Sequence, residues 1–375
     1  MSDRKSIYIH IPFCRKKCLY CDFYSIEDTS LKSDYTEAVA REIQLSLVQD
    51  SKTVPDIESI YFGGGTPSVL PLYLIEHIME ALHDNYRIDP CCEITMEVNP
   101  GTVDMNFFSG IKALGINRVS IGVQSFQNNI LKFLGRIHSC NKAYKAVDLA
   151  QRAHFENISI DIMYGIPGQN MHSLIQDLTM AAALNPRHLS CYMLTFEKGT
   201  RLYQQMEKGI IKPLTKEKLS SQFIMTSQFL TRCSYIHYEV SNFASDLPYV
   251  SKHNSNYWNQ TPYRGFGASA HSFDKKTRFW NHGDVKKYIN DLDKNMLPIA
   301  GKEILTKKQK MMEMIMLGLR TSGGISLGNL DSRFKAAIDM LLKEKFAKKS
   351  NLDFSLTQKG FCHLDDITRL FIDLI

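Results

Sequence analysis

The chain has 375 residues, 44% of them apolar and 22% charged. That is enough apolar material for a sizeable core, and it excludes a disordered, collagenous or coiled-coil protein. The formal net charge is +6, modest beside the localised excess that phosphate neutralisation requires, so no nucleic-acid partner is expected.

No run approaches the ~18 consecutive apolar residues of a membrane-spanning helix. The N-terminal Met-Ser-Asp-Arg-Lys leads into an alternating Ile-Tyr-Ile-His-Ile-Pro-Phe-Cys run. It does not have the long apolar core and small-residue cleavage site of a signal peptide. A cytoplasmic location is the expectation. Nine cysteines, an odd number, then read as reduced thiols. A cysteine cluster here holds metal or does chemistry in preference to forming disulfides.

In chain order, short β-branched or apolar runs alternate with amphipathic stretches of helical period. Ser6–Pro12, Ile57–Phe62, Glu93–Val98, Arg118–Val123, Ile158–Met163 and Leu189–Phe196 read as strands. Ser33–Val48, Leu72–His83, Val103–Leu114, Asn128–Leu134, Cys140–Ala153 and Met171–Leu184 read as helices. Such alternation implies right-handed βαβ units and a parallel sheet, either an open doubly wound sheet or a full or partial barrel. Ligands bind at the C-terminal strand ends in both.

Those ends carry unusual chemistry. Strand one runs into Cys14, Cys18 and Cys21, strand two into Gly63-Gly64-Gly65-Thr66-Pro67, and strand three into Glu97-Val98-Asn99-Pro100. Strand four ends at Gln124-Ser125-Phe126. Strand five contains Asp161 and leads to Gly165-Ile166-Pro167-Gly168, and strand six leads to Thr195-Phe196-Glu197. Beyond residue 200, Thr215–Cys233 reads as a helix and Ile236–Val240 as a strand. An aromatic, Asn- and His-rich stretch follows from Phe243 to Phe273. Helical pattern over Thr306–Leu319 and on to Phe346, then a strand-like pair near Phe354–Leu356, resembles a winged-helix module. Met312 and Met316 share one face of its first helix and read as core.

The spacing Cys14-x3-Cys18-x2-Cys21 is the sharpest signal. Three thiolates can bind three irons of a [4Fe–4S] cube and leave the fourth iron open to a small molecule, whereas a ferredoxin-type cluster needs a fourth cysteine. Zinc is the competing reading, with His10 completing a Cys3His set. The glycine run lets backbone approach a ligand or simply makes a tight turn. Glu97 can accept hydrogen bonds from ribose hydroxyls or stand as a solvated carboxylate. Asp161, inside Ser-Ile-Asp-Ile-Met, is a carboxylate in an apolar strand that needs a partner.

Tyr8-x-His-Ile-Pro-Phe-Cys14-x3-Cys18-x2-Cys21, with Gly-Gly-Gly-Thr-Pro after strand two, resembles the radical S-adenosylmethionine (radical SAM) superfamily. More narrowly it resembles the branch of oxygen-independent coproporphyrinogen III oxidases and heme chaperones, over nearly the whole chain. The resemblance implies an α/β fold, a partial (β/α)6 radical SAM barrel with a small C-terminal winged-helix-like α+β module. The implied division is a barrel over 1–235, an extension over 236–300 and the module over 301–375. It also implies a [4Fe–4S] cluster held by Cys14, Cys18 and Cys21. The open iron would chelate S-adenosylmethionine, and an electron from the cluster would cleave its sulfonium to a 5′-deoxyadenosyl radical. Tyr8, Gly64 and Glu97 match contacts to the first S-adenosylmethionine. Gly65, Thr66, Gln124, Arg136 and Asp161 match a second nucleoside site of the oxidase.

Two departures weigh against the oxidase. Its motif has a fourth cysteine where Phe23 stands, and it has a longer segment ahead of the cluster than the thirteen residues before Cys14. A positive feature favours the chaperone: His253-Asn-Ser-Asn-Tyr257-Trp258 resembles the His-Asn-x-x-Tyr-Trp motif of the chaperones, where a neutral imidazole suits heme iron and aromatics pack on the porphyrin. In Gly265–Ser272, which fits the shared family pattern, His271 is a secondary candidate. The implied function is transfer of heme to acceptor hemoproteins, with peripheral membrane contact at most. Oxidative decarboxylation of coproporphyrinogen is the alternative, so enzyme or chaperone stays open here.

Overall fold

The structure is a computed structural model and describes residues 5–49 and 56–375. In chain order it contains β1 (Lys5–Ile11), α1 (Lys32–Gln49), β2 (Asp56–Gly64), α2 (Leu72–Asn85), β3 (Arg87–Val98), α3 (Met105–Ala113) and β4 (Arg118–Gln124). These are followed by α4 (Asn128–Leu134), α5 (Cys140–Arg152), β5 (Asn157–Tyr164), α6 (Met171–Ala183) and β6 (His188–Met193). The alternation read from the sequence is therefore the alternation of the fold. β6 is shorter than expected: beyond Met193 the chain leaves the strand, and Leu194 N–H donates to Tyr164 O at 2.8 Å.

Local chemistry explains the elements. α5 buries Ala143, Ala146, Val147 and Ala150, a stripe at helical spacing. Asp104 caps α3 by accepting from Phe107 N–H at 2.8 Å, and Asn170 and Ser173 form a reciprocal capping box on α6. The strands alternate buried apolar positions with polar ones. Ile7, Ile9, Ile60, Phe62, Met96, Ile121 and Ile160 enter the core.

The described chain forms two compact units, each discontinuous in sequence. The first gathers residues up to Asp161, Thr195–Ile211 and Thr261–Ile304. Its sheet runs in the order Ile299–Ile304, Thr277–Asn281, His271–Asp274, Tyr263–Phe266, β1, β2, β3, β4, β5. β1 through β4 are mutually parallel, Tyr263–Phe266 is parallel to β1, and the three outer strands are antiparallel. Sequence periodicity did not reveal these four added strands, which are only four to six residues long.

The second unit gathers Ile162–Leu194, Lys212–Gln260 and Leu305–Ile375. Next to β6 lie two antiparallel strands, Asn242–Ala244 and Ile236–Glu239. Its C-terminal part has helices Lys307–Leu319, Lys335–Lys343 and Leu364–Ile372. They accompany a three-stranded antiparallel sheet in the order Ile325–Ser326, Asp353–Leu356, Ala347–Ser350. These elements make up a small α+β module. Its first helix buries Ile315 and Leu319, while Met316, expected in the core, is 46% exposed.

One buried carboxylate organises the added strands. Glu42 of α1 accepts hydrogen bonds from Tyr288 Oη (2.6 Å), Gly267 N–H (2.9 Å) and Asn281 Nδ2 (2.7 Å). Burial pushes its pKa up, against the pull of these donors. Tyr35 Oη adds a second tie, donating to His10 O at 2.6 Å and accepting from Ala268 N–H at 2.9 Å. Glu42→Ala leaves three buried donors unpaired. We expect it to lower the unfolding free energy by roughly 3 kcal/mol, measured by denaturant titration.

Candidate cluster and nucleoside site

The three cysteines sit on one loop that leaves β1 and is pinned at several points. Ile26 N–H donates to Pro12 O (2.7 Å) and Cys14 N–H to Ile26 O (2.9 Å), which closes the loop on itself. Leu19 N–H donates to Leu134 O (3.2 Å) at the end of α4. Gly65 N–H donates to Ile11 O (2.8 Å) and Thr66 N–H to Phe13 O (2.9 Å), which ties the exit of β2 to the exit of β1. Thr66 Oγ1 lies 3.4 Å from Cys14 Sγ.

The glycines are required by these approaches. A Cβ on Gly63 would lie 2.9 Å from the Tyr61 ring and 3.3 Å from the Glu97 carboxyl carbon. On Gly64, whose φ is +105°, it would overlap the His10 ring, and on Gly65 it would meet the Ile11 and Phe13 carbonyls at 2.9 Å. The turn is thus packed against its own chain, and its backbone is held beside Tyr8 and Glu97.

Glu97 sits at the end of β3. It accepts from Tyr61 Oη at 2.7 Å and from Gly64 N–H. Burial lifts its pKa to about 7; the Asp161 charge adds to the lift, while its hydrogen bonds and Arg118 oppose it. Asp161 on β5 accepts from Ser120 Oγ at 2.9 Å, which supplies the partner its sequence context demanded. Gln124 ends β4 in the left-handed region at φ 69°, a conformation that costs a residue with a side chain about 1 kcal/mol or more. Arg136, just past α4, donates to Gly122 O at 2.6 Å and to Cys18 Sγ at 3.5 Å.

The structure therefore gathers Cys14, Cys18, Cys21, Tyr8, Gly64, Gly65, Thr66, Glu97, Gln124, Arg136 and Asp161 in the first unit. His253 belongs to the second. It lies on the helix Lys252–Trp258, is 1% exposed, and its Nε2 is 3.1 Å from Tyr257 Oη. The Arg320 guanidinium covers the Trp258 ring at 4.1 Å.

Tyr61, Arg118 and Ser120 went unnoticed in the sequence. Arg118 is almost fully buried, donates to Thr95 Oγ1 at 3.5 Å, and has no partner for its Nε among the described residues. A period-two signal could have found all three. Tyr61 with Gly63, and Arg118 with Ser120, Gly122 and Gln124, alternate along strands and so share a face with Glu97.

The donor set fits an open iron–sulfur cluster. The three thiols are close enough to feel one another's charge, and all nine cysteines are free of disulfides. Burial raises the Cys14 pKa, and it lifts Cys21 to about 11. Thiolates at such positions need a bound cation or metal, and Arg136 and Lys17 supply nearby positive charge. The Cys3His zinc set does not form. His10 is committed on both ring nitrogens, to Tyr24 O at 2.9 Å and Tyr8 Oη at 3.0 Å, and burial lowers its pKa to about 4.

The chain is similar to known proteins in sequence and fold. The profile of the Radical SAM superfamily matches residues 8–181, and that of the HemN C-terminal domain matches residues 305–366. The heme chaperone HemW of Lactococcus lactis subsp. lactis is 32% identical, over 96% of this chain and 93% of that protein. The heme chaperone HemW of Buchnera aphidicola subsp. Schizaphis graminum is 35% identical over 98% of both. Coproporphyrinogen III oxidase (HemN) of Escherichia coli superposes with a TM-score of 0.82 at 22% identity. That match covers 100% of this chain and 91% of that one, and it shows the radical SAM fold. The chain belongs to the radical SAM superfamily and, within it, to the HemW family. Membership implies a [4Fe–4S] cluster and S-adenosylmethionine.

Anaerobic reconstitution should load about four irons and four sulfides per chain. Serine at Cys14, Cys18 or Cys21 should abolish their retention, while His10→Asn should retain them, as iron and sulfide analysis would record. Stoichiometric zinc lost on changing His10 would contradict this.

Proposed function

We propose that this protein is a heme chaperone that binds a [4Fe–4S] cluster and S-adenosylmethionine and delivers heme to acceptor hemoproteins. The observation that carries the reading is the cysteine loop, clamped to the glycine turn beside Glu97, in a chain that aligns with HemW proteins over nearly its full length. Cys14, Cys18 and Cys21 hold the cluster. Tyr8, Gly64 and Glu97 hold the first S-adenosylmethionine. Gly65, Thr66, Gln124, Arg136 and Asp161 form a second nucleoside position. The bound cluster supplies an open iron and a low-potential electron. This chain's residues bind, orient and shield what meets it.

His253 is the proposed heme ligand in the chaperone motif, and its use requires the ring to leave Tyr257. Phe23, where the oxidase carries cysteine, is 68% exposed and offers no sulfur. Among the described residues no helix is long and apolar enough to cross a membrane.

The deciding experiment loads the reconstituted protein with heme, mixes it with an apo-hemoprotein and follows the acceptor's spectrum. Heme transfer is expected. Robust protoporphyrinogen formation from coproporphyrinogen would instead make the protein the oxidase. Glu97 gives a second test. Its carboxyl is protonated below about pH 7 and ionised above, and the ionised form is the better acceptor for ribose hydroxyls. S-adenosylmethionine affinity should therefore rise as pH increases through that value. Glu97→Gln should weaken it about tenfold, equivalent to ~1.4 kcal/mol, and should flatten the pH dependence in anaerobic titrations.

A further inference from the structure

β4 opens on a buried guanidinium. Arg118 is 2% exposed and is among the largest side chains that the fold encloses. Among the described residues its one hydrogen bond is a long one, 3.5 Å to Thr95 Oγ1, and its Nε has no acceptor. An arginine keeps its charge over the whole pH range in which proteins fold. A buried charge of this kind is strongly destabilising unless an anion faces it.

The strand register supplies two anions. Thr95 lies beside Arg118 and Glu97 beside Ser120, so all four share one face of the sheet. Ser120 Oγ in turn donates to Asp161 Oδ1 at 2.9 Å on the next strand. Burial is the largest influence on the ionisation of both Glu97 and Tyr61. Beyond it, the Asp161 charge opposes ionisation of each and the Arg118 charge favours it. The surrounding groups already have partners. Tyr61 Oη donates to Glu97 at 2.7 Å. On β1, Tyr8 Oη lies 3.0 Å from His10 Nδ1, and His10, whose pKa burial lowers to about 4, bonds Tyr24 O through Nε2. Arg136 is turned to Gly122 O and Cys18 Sγ.

We propose that Arg118 is a positioning residue shared by the two nucleoside positions, a buried cation that serves Glu97 and Asp161 as their common counter-charge. The inference rests on the S-adenosylmethionine reading of those two carboxylates and adds a coupling between them. With both ionised, these three residues carry one positive and two negative charges, and the second negative charge is the costly one. A second ligand that presents a hydrogen-bond donor or its positive sulfonium to Asp161 relieves that cost. It leaves Arg118 to Glu97 and strengthens S-adenosylmethionine at the first position. By linkage, the first ligand strengthens the second to the same degree.

The test follows S-adenosylmethionine affinity against pH by anaerobic titration of the full-length reconstituted protein. The wild-type midpoint is expected at about pH 7, where Glu97 ionises. Arg118→Met should move the midpoint up by about one unit, weakening binding about fivefold at about pH 7 and restoring it at about pH 9. Asp161→Asn should move it down by about one unit and tighten binding about fivefold at about pH 6. Arg118→Lys keeps the charge and should stay within about half a unit of wild type. The double variant Arg118→Met/Asp161→Asn loses one charge of each sign and should return to the wild-type midpoint. It carries the test if Arg118→Met alone does not retain its iron. A methionine or asparagine variant that leaves the midpoint unmoved, or a double variant with the midpoint of Asp161→Asn, would overturn the shared counter-charge while leaving the Glu97 assignment intact. A wild type whose affinity ignores pH, or a Glu97→Gln variant that binds as wild type does, would overturn both.

Discussion

The candidate site depends on a length of backbone that carries no side chains. Gly63, Gly64 and Gly65 bring the exit of β2 against the exit of β1, and Gly65 and Thr66 hydrogen-bond to the carbonyls of Ile11 and Phe13. That clamp fixes the residue immediately before Cys14. Further bonds, from Ile26 to Pro12 and from Leu19 to Leu134, then hold the rest of the cysteine loop. Without them, three thiols on an open loop would lose conformational entropy of order 1 kcal/mol per residue each time they converged on a metal. The fold has already ordered them. A side chain at Gly64 would collide with His10, which also supports the loop through Tyr24 O. One substitution there would disturb turn, strand and loop together.

Charge is arranged with the same economy. Arg136 and Lys17 lie beside the thiols, while Glu97 and Asp161 lie on strands across the inner face. The Asp161 charge adds to the cost of ionising Glu97. Tyr61, Gly64 N–H and Arg118 limit that cost, so Glu97 stays poised near neutrality. An anionic cluster and a sulfonium-bearing nucleoside need opposite surroundings within a short distance. The strands provide them because neighbouring chains in a sheet are only about 5 Å apart.

Much of this was legible in the sequence because it is local. Six strand–helix repeats, the cysteine spacing and the glycine turn each lie within a few consecutive residues, and the strands and helices form where their periodicity put them. The partners that complete them were harder to see. Tyr61 reaches Glu97 and Ser120 reaches Asp161 across strand pairings that only the tertiary register defines. Arg136, just past α4, is folded back onto Cys18. Asn128–Leu134 emerged with the boundaries expected because its apolar stripe and the Gly135 that ends it are both local signals. The motif at His253 was equally visible, but spacing alone could not say that its imidazole would be buried against Tyr257.

The added strands make the limit of sequence reading most concrete. Tyr263–Phe266 and His271–Asp274 are too short to establish alternation, and the aromatic density of their region suggests a binding motif more readily than a sheet. Their order follows from buried polar groups far away in the chain. Glu42 and Tyr35, on α1, hold the loop between them, and that loop sets the register of His271 against Trp280. A carboxylate buried in one helix thus holds the turn between two short strands far along the chain. Gly265 and Gly301 fit the same packing: at both positions the neighbouring strand's backbone or ring fills the volume a side chain would need.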